Sequence, residues 1–150
     1  MKELTTEIII NASAEQVWSV LTDFAQYAEW NPFIVGSSGN AVTGTRLTNQ
    51  MKQGEKVMTF TPKLVCVETN RRLEWLGHLW ISGLFDGRHI FVIEELSPNQ
   101  VKLTQQEKFS GILRSMIMKQ IAETTRQGFV AMNRALKQRA ESLNISVASS

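Results

Sequence analysis

The sequence predicts an α+β fold in which a curved antiparallel sheet of about seven strands wraps around one long C-terminal helix. Three observations lead there. Residues 112 to about 143 carry apolar side chains at helical spacing through one uninterrupted segment. Residues 33–109 consist of short β-patterned runs separated by Gly-, Asn- and Pro-containing turns. No helix-length segment divides those runs, so they pair as an antiparallel meander without βαβ crossovers.

Composition narrows the class. With 150 residues, 43% hydrophobic and 20% charged, the chain fits one globular domain over residues 1–145, with 146–150 as a flexible tail. A net charge of +2 and scattered basic residues give no electrostatic case for nucleic acid. Cys66 is the sole cysteine, so no intrachain disulfide can form, and a cytoplasmic setting is expected. Met1-Lys2-Glu3-Leu4 lacks the apolar core of a signal peptide, and no apolar run reaches the length of a membrane span.

The elements follow in order. Leu4 to Ile10 is a first strand that ends in three isoleucines. Ser13 then caps a short helix with Gln16 at the capping-box position, and Val17, Trp18, Val20 and Leu21 turn inward. A second short helical turn, Phe24 to Tyr27, leads to Trp30-Asn31-Pro32, where the proline biases Asn31 toward extended backbone. Phe33-Ile34-Val35 and Thr45 to Met51 read as strands, and Lys52-Gln53-Gly54-Glu55 reverses the chain. Val57 to Glu68 reads as one long strand interrupted by Pro62, followed by strands at Arg72 to Leu79, Gly87 to Leu96 and Val101 to Phe109.

The terminal helix decides what the sheet must accommodate. About 30 residues of helix span roughly 45 Å and need a broad apolar partner. Leu113, Ile117, Ile121, Thr124, Gly128, Ala131, Met132, Ala135 and Leu136 share one side. The middle of that stripe (Thr124, Thr125, Gly128) is small or polar where a packed core favours Leu or Ile. Two readings stay open: close approach of helix and sheet at Gly128, or a cavity lined by the helix at this level.

With these elements placed, the sequence resembles the START/polyketide-cyclase-like (SRPBCC) superfamily, whose architecture is the helix-grip fold. The resemblance is carried by residues 10–24 (Ile-Asn-Ala-Ser-Ala-Glu-Gln-Val-Trp-Ser-Val-Leu-Thr-Asp-Phe), 27–33, 83–91 and 105–110. Gly128-Phe129 and Met132-Asn133 of the terminal helix extend it over nearly the whole chain. It implies binding of an apolar ligand between helix and sheet, and in some members cyclase or dehydratase activity. It supplies no catalytic motif to carry across, because the catalytic groups differ between branches.

Strand alternation sorts the chemistry. On the last strand Leu103, Gln105, Glu107 and Phe109 share the inward face, because Lys102 and Lys108 on the other face would be costly inside. An inward Glu107 is desolvated and becomes an acid–base candidate; the plainer alternative is a rim carboxylate or one paired with an inward arginine. His89 and Phe91 face the same way, and His89 could bond Glu107 across the sheet as a catalytic pair or be a satisfied neutral core histidine. Trp75, Met58 and Phe60 add apolar inward surface, which serves a pocket or plain packing equally well.

The segment 79–85, with Trp80 and Phe85, reads as a lid over the cavity mouth or a contact for a homodimer or other partner. Trp30 and Asn31 sit where the short helices meet the sheet, and Asn31 either faces the pocket or bonds its own backbone. The expected ligand-binding set is therefore Trp30, Asn31, Met58, Phe60, Trp75, Trp80, Phe85, His89, Phe91, Gln105, Glu107, Phe109, Ile121, Thr124, Thr125 and Gly128. Two histidines and one cysteine give no zinc spacing, and neither a P-loop, a G-x-G-x-x-G nor a G-x-S-x-G motif is present. No metal and no cofactor is expected. The reading is a binder of a small hydrophobic molecule (lipid, polyketide or isoprenoid type). Its alternatives are a cofactor-independent cyclase, dehydratase or isomerase using Glu107, and an interaction module using residues 79–85.

Overall fold

The computed structural model describes residues 2–78, 83 and 85–149. Strand β1 (Lys2–Ile10) enters helix α1 (Ala14–Thr22) through the expected capping box. Ser13 Oγ accepts from Gln16 N at 3.1 Å, while Gln16 Oε1 accepts from Ser13 N at 3.0 Å. Val17, Val20 and Leu21 are buried as the pattern requires, and Trp18 is half-buried against the same core. A 3-10 turn (Phe24–Gln26) and helix α2 (Tyr27–Trp30) follow, and Pro32 returns the chain to extended backbone.

Eight strands make the wall. Strand β2 (Ile34–Ser38), β3 (Thr48–Gln53) and β4 (Lys56–Phe60) form a three-stranded sheet in that order. Strands β5 (Lys63–Glu68), β6 (Arg72–His78), β7 (Asp86–Ser97) and β8 (Gln100–Ser110) pair consecutively, and β8 closes on β1. All pairings are antiparallel. The expected single strand 57–68 is in fact two strands in two sheets. Pro62 lacks an N–H for a ladder, and its carbonyl instead accepts from Leu47 N at 2.9 Å. The Arg46–Lys63 bridge links the two sheets at this corner.

Helix α3 (Arg114–Ser149) lies across the concave face. Helical backbone continues beyond Leu143, where the sequence reading ended it, because no glycine or proline stop occurs in residues 144–149. The helix is also rotated by about one residue from the expected phase. Met118, Thr125, Phe129, Met132, Asn133, Leu136 and Ala140 are the buried positions, and Thr124 is exposed. The Phe129 ring, fully buried and set edge-on to Phe33 at 5.5 Å, fixes this phase. Gly128 is where helix and wall come closest, since a β-carbon there would collide with the Phe33 ring. The close-approach reading of Gly128 therefore holds at that level, and the hollow lies elsewhere along the helix.

Candidate functional site

The hollow opens toward the first half of α3. A cavity of about 570 Å³ is bounded by that half of the helix, by the β3–β4 hairpin and by the ends of β6, β7 and β8 nearest the helix start. Trp75, Phe85, Phe109, Ile117 and Ile121 give it apolar walls, with Met51, Met58, Phe60 and Pro62 on the hairpin side. Phe85 stacks on Phe109 at 5.4 Å, almost coplanar, and so stiffens one wall. Two glycines leave the room. Gly77 and Gly87 face one another in the β6–β7 register, and a β-carbon at Gly87 would lie 2.7 Å from Glu107 Oε1.

Among the described residues Glu107 is the one acidic side chain on this lining. Its place on β8 follows from the alternation that turns Lys102 and Lys108 away. The side chain is 13% exposed, and among the described residues its ion-pair contact is with His89 Nδ1 at 3.9 Å, beyond hydrogen-bond reach. Burial without a compensating cation pushes the Glu107 carboxyl up to about 8, so it carries its proton at neutral pH. Among the described residues no inward arginine accompanies it. Arg72 and Arg88 instead pair with Glu74 at 2.8 and 3.4 Å, an ion-pair cluster built on alternate residues of the same strands.

His89 lies one layer beneath the cavity lining. It is fully buried among Trp75, Phe91 and Phe129, with ring centroids 5.0, 4.7 and 4.9 Å away. Gln105 Nε2 donates to Asn133 Oδ1 at 2.7 Å and to the Phe129 carbonyl at 3.3 Å. The Gln105 Oε1 is thereby left to accept from His89 Nε2 at 2.8 Å. Asn133 Nδ2 donates in turn to Thr6 Oγ1 at 2.8 Å. This chain puts the histidine proton on Nε2 and leaves Nδ1 as a buried acceptor with no hydrogen-bond partner. Burial, only partly offset by the Gln105 bond, pulls the His89 imidazole down to about 4, so it is neutral. The expected direct His89–Glu107 hydrogen bond is absent, because Gln105 takes the other ring nitrogen and the remaining gap is 3.9 Å.

The expected binding residues divide accordingly. Met58, Phe60, Trp75, Phe85, Glu107, Phe109, Ile121 and Thr125 line the cavity. His89, Phe91 and Gln105 are buried behind it. Thr124 points to solvent and Gly128 packs on Phe33, both consequences of the helix phase. Trp30 packs edge-on against Tyr27 at 5.1 Å, away from the cavity. Asn31 Oδ1 accepts from Phe33 N and Ile34 N at 2.9 and 2.8 Å, so it shapes the local turn. Trp80 lies outside the described residues.

Several lining residues had no place in the expected set. Gly77 and Gly87 were readable as strand glycines, a pattern that marks close approach. Gln53, whose Nε2 donates to Thr125 Oγ1 at 3.2 Å, and Lys56 arrive through the hairpin, and no local pattern marks them. His78 Nδ1 lies 2.8 Å from Asp86 Oδ1, and the same carboxylate accepts from Gly83 N. Asp86 therefore ties both His78 and Gly83 to the start of β7. A second concavity, of about 790 Å³, faces solvent at the other end of the sheet. It is lined by charges of both signs, among them Glu68, Arg71, Arg72 and Glu94.

The sequence matches the family described as polyketide cyclase/dehydrase and lipid transport over residues 1–141. The chain belongs to this family. Its architecture is the helix-grip fold of the START/SRPBCC superfamily, with the long terminal helix held by the curved antiparallel wall. Among solved structures, it is similar to the Zhui aromatase/cyclase from a Streptomyces species. That likeness has a TM-score of 0.76 at 16% identity, covering 93% of each chain. A START superfamily protein from Mycobacterium smegmatis aligns with a TM-score of 0.72 at 20% identity, over 94% of this chain and 98% of that one. Norcoclaurine synthase from a Thalictrum species aligns with a TM-score of 0.73 at 14% identity, over 95% and 96%. At such identities the likeness establishes the fold. No curated protein matches the sequence. No helix among the described residues is long and apolar enough to cross a membrane.

Proposed function

We propose that the chain binds a small hydrophobic molecule, of lipid, polyketide or isoprenoid type, reversibly in the cavity between α3 and the wall. The observation that carries this reading is a cavity of about 570 Å³ with aromatic and aliphatic walls and a single desolvated carboxyl. Its volume lies within the range, about 300–1,000 Å³, of small-molecule sites, and so does its character of apolar lining with few polar groups. Family membership supports it, as does the likeness to proteins named for aromatase/cyclase activity or START membership. A lone, half-buried Cys66 suits a reducing, cytoplasmic setting. Native mass spectrometry of protein purified from its own host tests the reading. A co-purifying apolar compound is expected, and it should be absent when Gly87→Leu fills the space beside Glu107. Retention of the same compound by that variant would count against the cavity as its site.

Glu107 favours a second reading, cofactor-independent catalysis of a cyclisation, dehydration or isomerisation. A carboxyl that titrates near neutrality can give and take a proton at working pH. Glu107→Gln separates the two readings. Binding survives the substitution, while turnover, if the chain is an enzyme, falls by about a hundredfold or more.

A further inference from the structure

Resting on the cavity reading, we infer that Glu107 acts as a hydrogen-bond donor, and that the molecule held beside it is uncharged at that end, presenting a ketone, enone or quinone oxygen. Ligands with a carboxylate or an ammonium at that position are rejected.

The argument runs through His89. Had this histidine been free to take a proton on Nδ1, it would have faced Glu107 as a cation and made the carboxylate stable. Burial prevents that by keeping the imidazole neutral, and the chain Thr6–Asn133–Gln105 holds its one proton on Nε2. Nδ1 is then a lone-pair acceptor, aromatic on three sides, 3.9 Å from Glu107 Oε1. A carboxylate beside it would meet a second concentration of negative charge in an apolar site, so the carboxyl keeps its proton. At 3.9 Å, Nδ1 is too far to engage that proton, and among the described residues no hydrogen bond reaches the carboxyl. The O–H is thus available to the cavity. A neutral carbonyl oxygen satisfies it, whereas a carboxylate would bring an unpaired charge into the same apolar space, and an ammonium would give up its water to face a neutral O–H.

The other titratable groups around the cavity stand apart from this pair. On β6, His78 is held by Asp86 of β7 at 2.8 Å. On β4, Lys56 is solvent-exposed. Arg88 of β7 is committed to Glu74. From α3 the lining side chains are Ile117, Gln120, Ile121 and Thr125, none of them ionisable, and from β3 Met51 and Gln53.

The test uses four naphthalene probes of nearly equal size, bound to the full chain and followed by calorimetry: 2-ethylnaphthalene, 2-acetylnaphthalene, 2-naphthoate and 2-naphthylmethylamine. The acetyl probe is expected to bind about tenfold more tightly than the ethyl probe, the gain from one good hydrogen bond, and both charged probes more weakly than either. Glu107→Leu should erase the acetyl advantage and leave ethyl binding intact. Glu107→Gln, which still offers an N–H donor, should keep it. Raising the pH from 7 to 9 should weaken acetyl binding in the native chain, because an ionised carboxyl cannot donate, and should leave Glu107→Gln unchanged. The inference is overturned if either charged probe matches the acetyl probe, or if the acetyl advantage persists in Glu107→Leu. Ethyl binding without any acetyl gain overturns this inference alone. Failure of all four probes to bind overturns the cavity reading with it.

Discussion

The two halves of α3 lie in the same grip and are held in opposite ways. From Phe129 onward the helix is solid against the wall: Phe129, Met132, Leu136 and Ala140 are fully buried, and Phe33 sits tight on Gly128. Ahead of that point Met116 is 57% exposed, Ile117 and Ile121 touch the cavity with only part of their surface, and Met118 and Thr125 are the buried side chains. One amphipathic segment therefore does two jobs. Its far half supplies the packing that holds the fold, and its near half gives up packing to leave a space.

This contrast makes measurable predictions. Phe129→Ala removes a ring that touches both Phe33 and His89 and should cost about 3–5 kcal/mol by chemical denaturation. Ile121→Ala, at the cavity, should cost only about 1 kcal/mol, since it enlarges a void that already exists. Comparable losses at the two sites would erase the distinction between the halves.

Acid–base behaviour tests the near half. The Glu107 carboxyl rises from 4.5 to about 8 on folding, so the native state holds a proton that the unfolded chain has released, and stability falls as pH rises through that span. The His89 imidazole drops from 6.5 to about 4, so its contribution is lost in the other direction, as pH falls through 6.5 toward 4. From pH 4.5 to 6.5 the two slopes oppose, and stability should be nearly flat. Between pH 6.5 and 8 the native chain should lose about 2 kcal/mol relative to Glu107→Gln. A pH profile for Glu107→Gln that parallels the native one would assign the slope to other groups.

A further effect is expected at the boundary between the halves. Gly128→Ala pushes a methyl against the Phe33 ring and should cost about 1–3 kcal/mol in overpacking, where a glycine-to-alanine change in an open helix would be stabilising. A gain in thermal stability from this change would show that the contact at Phe33 is loose.

What the sequence made legible follows the range of the interactions involved. The Ser13–Gln16 box is complete within four residues, so it was readable. The inward face of β8 was also readable, because Lys102 and Lys108 leave only one face for the core. The helix phase was missed by one residue because the expected stripe gave weight to Thr124 and Gly128 and left out Phe129. Only the partner ring of Phe33, remote in sequence, settles which side faces the wall. The division of residues 57–68 between two sheets depends on Leu47 reaching the Pro62 carbonyl, a long-range choice with no local mark. The site divides along the same line. Glu107 came from alternation within one strand, whereas the role of Gln105 in orienting His89 needs Asn133 from the helix.

The contact between Phe33 and Gly128 also has a mechanical meaning. It is a fulcrum, with the segment from residue 114 to residue 128 as the lever arm. At 1.5 Å per residue that arm is about 21 Å long, so a tilt of about 10° displaces its tip by about 4 Å. Such a swing would widen the entrance by about the thickness of an aromatic ring while the far half of the helix stays seated.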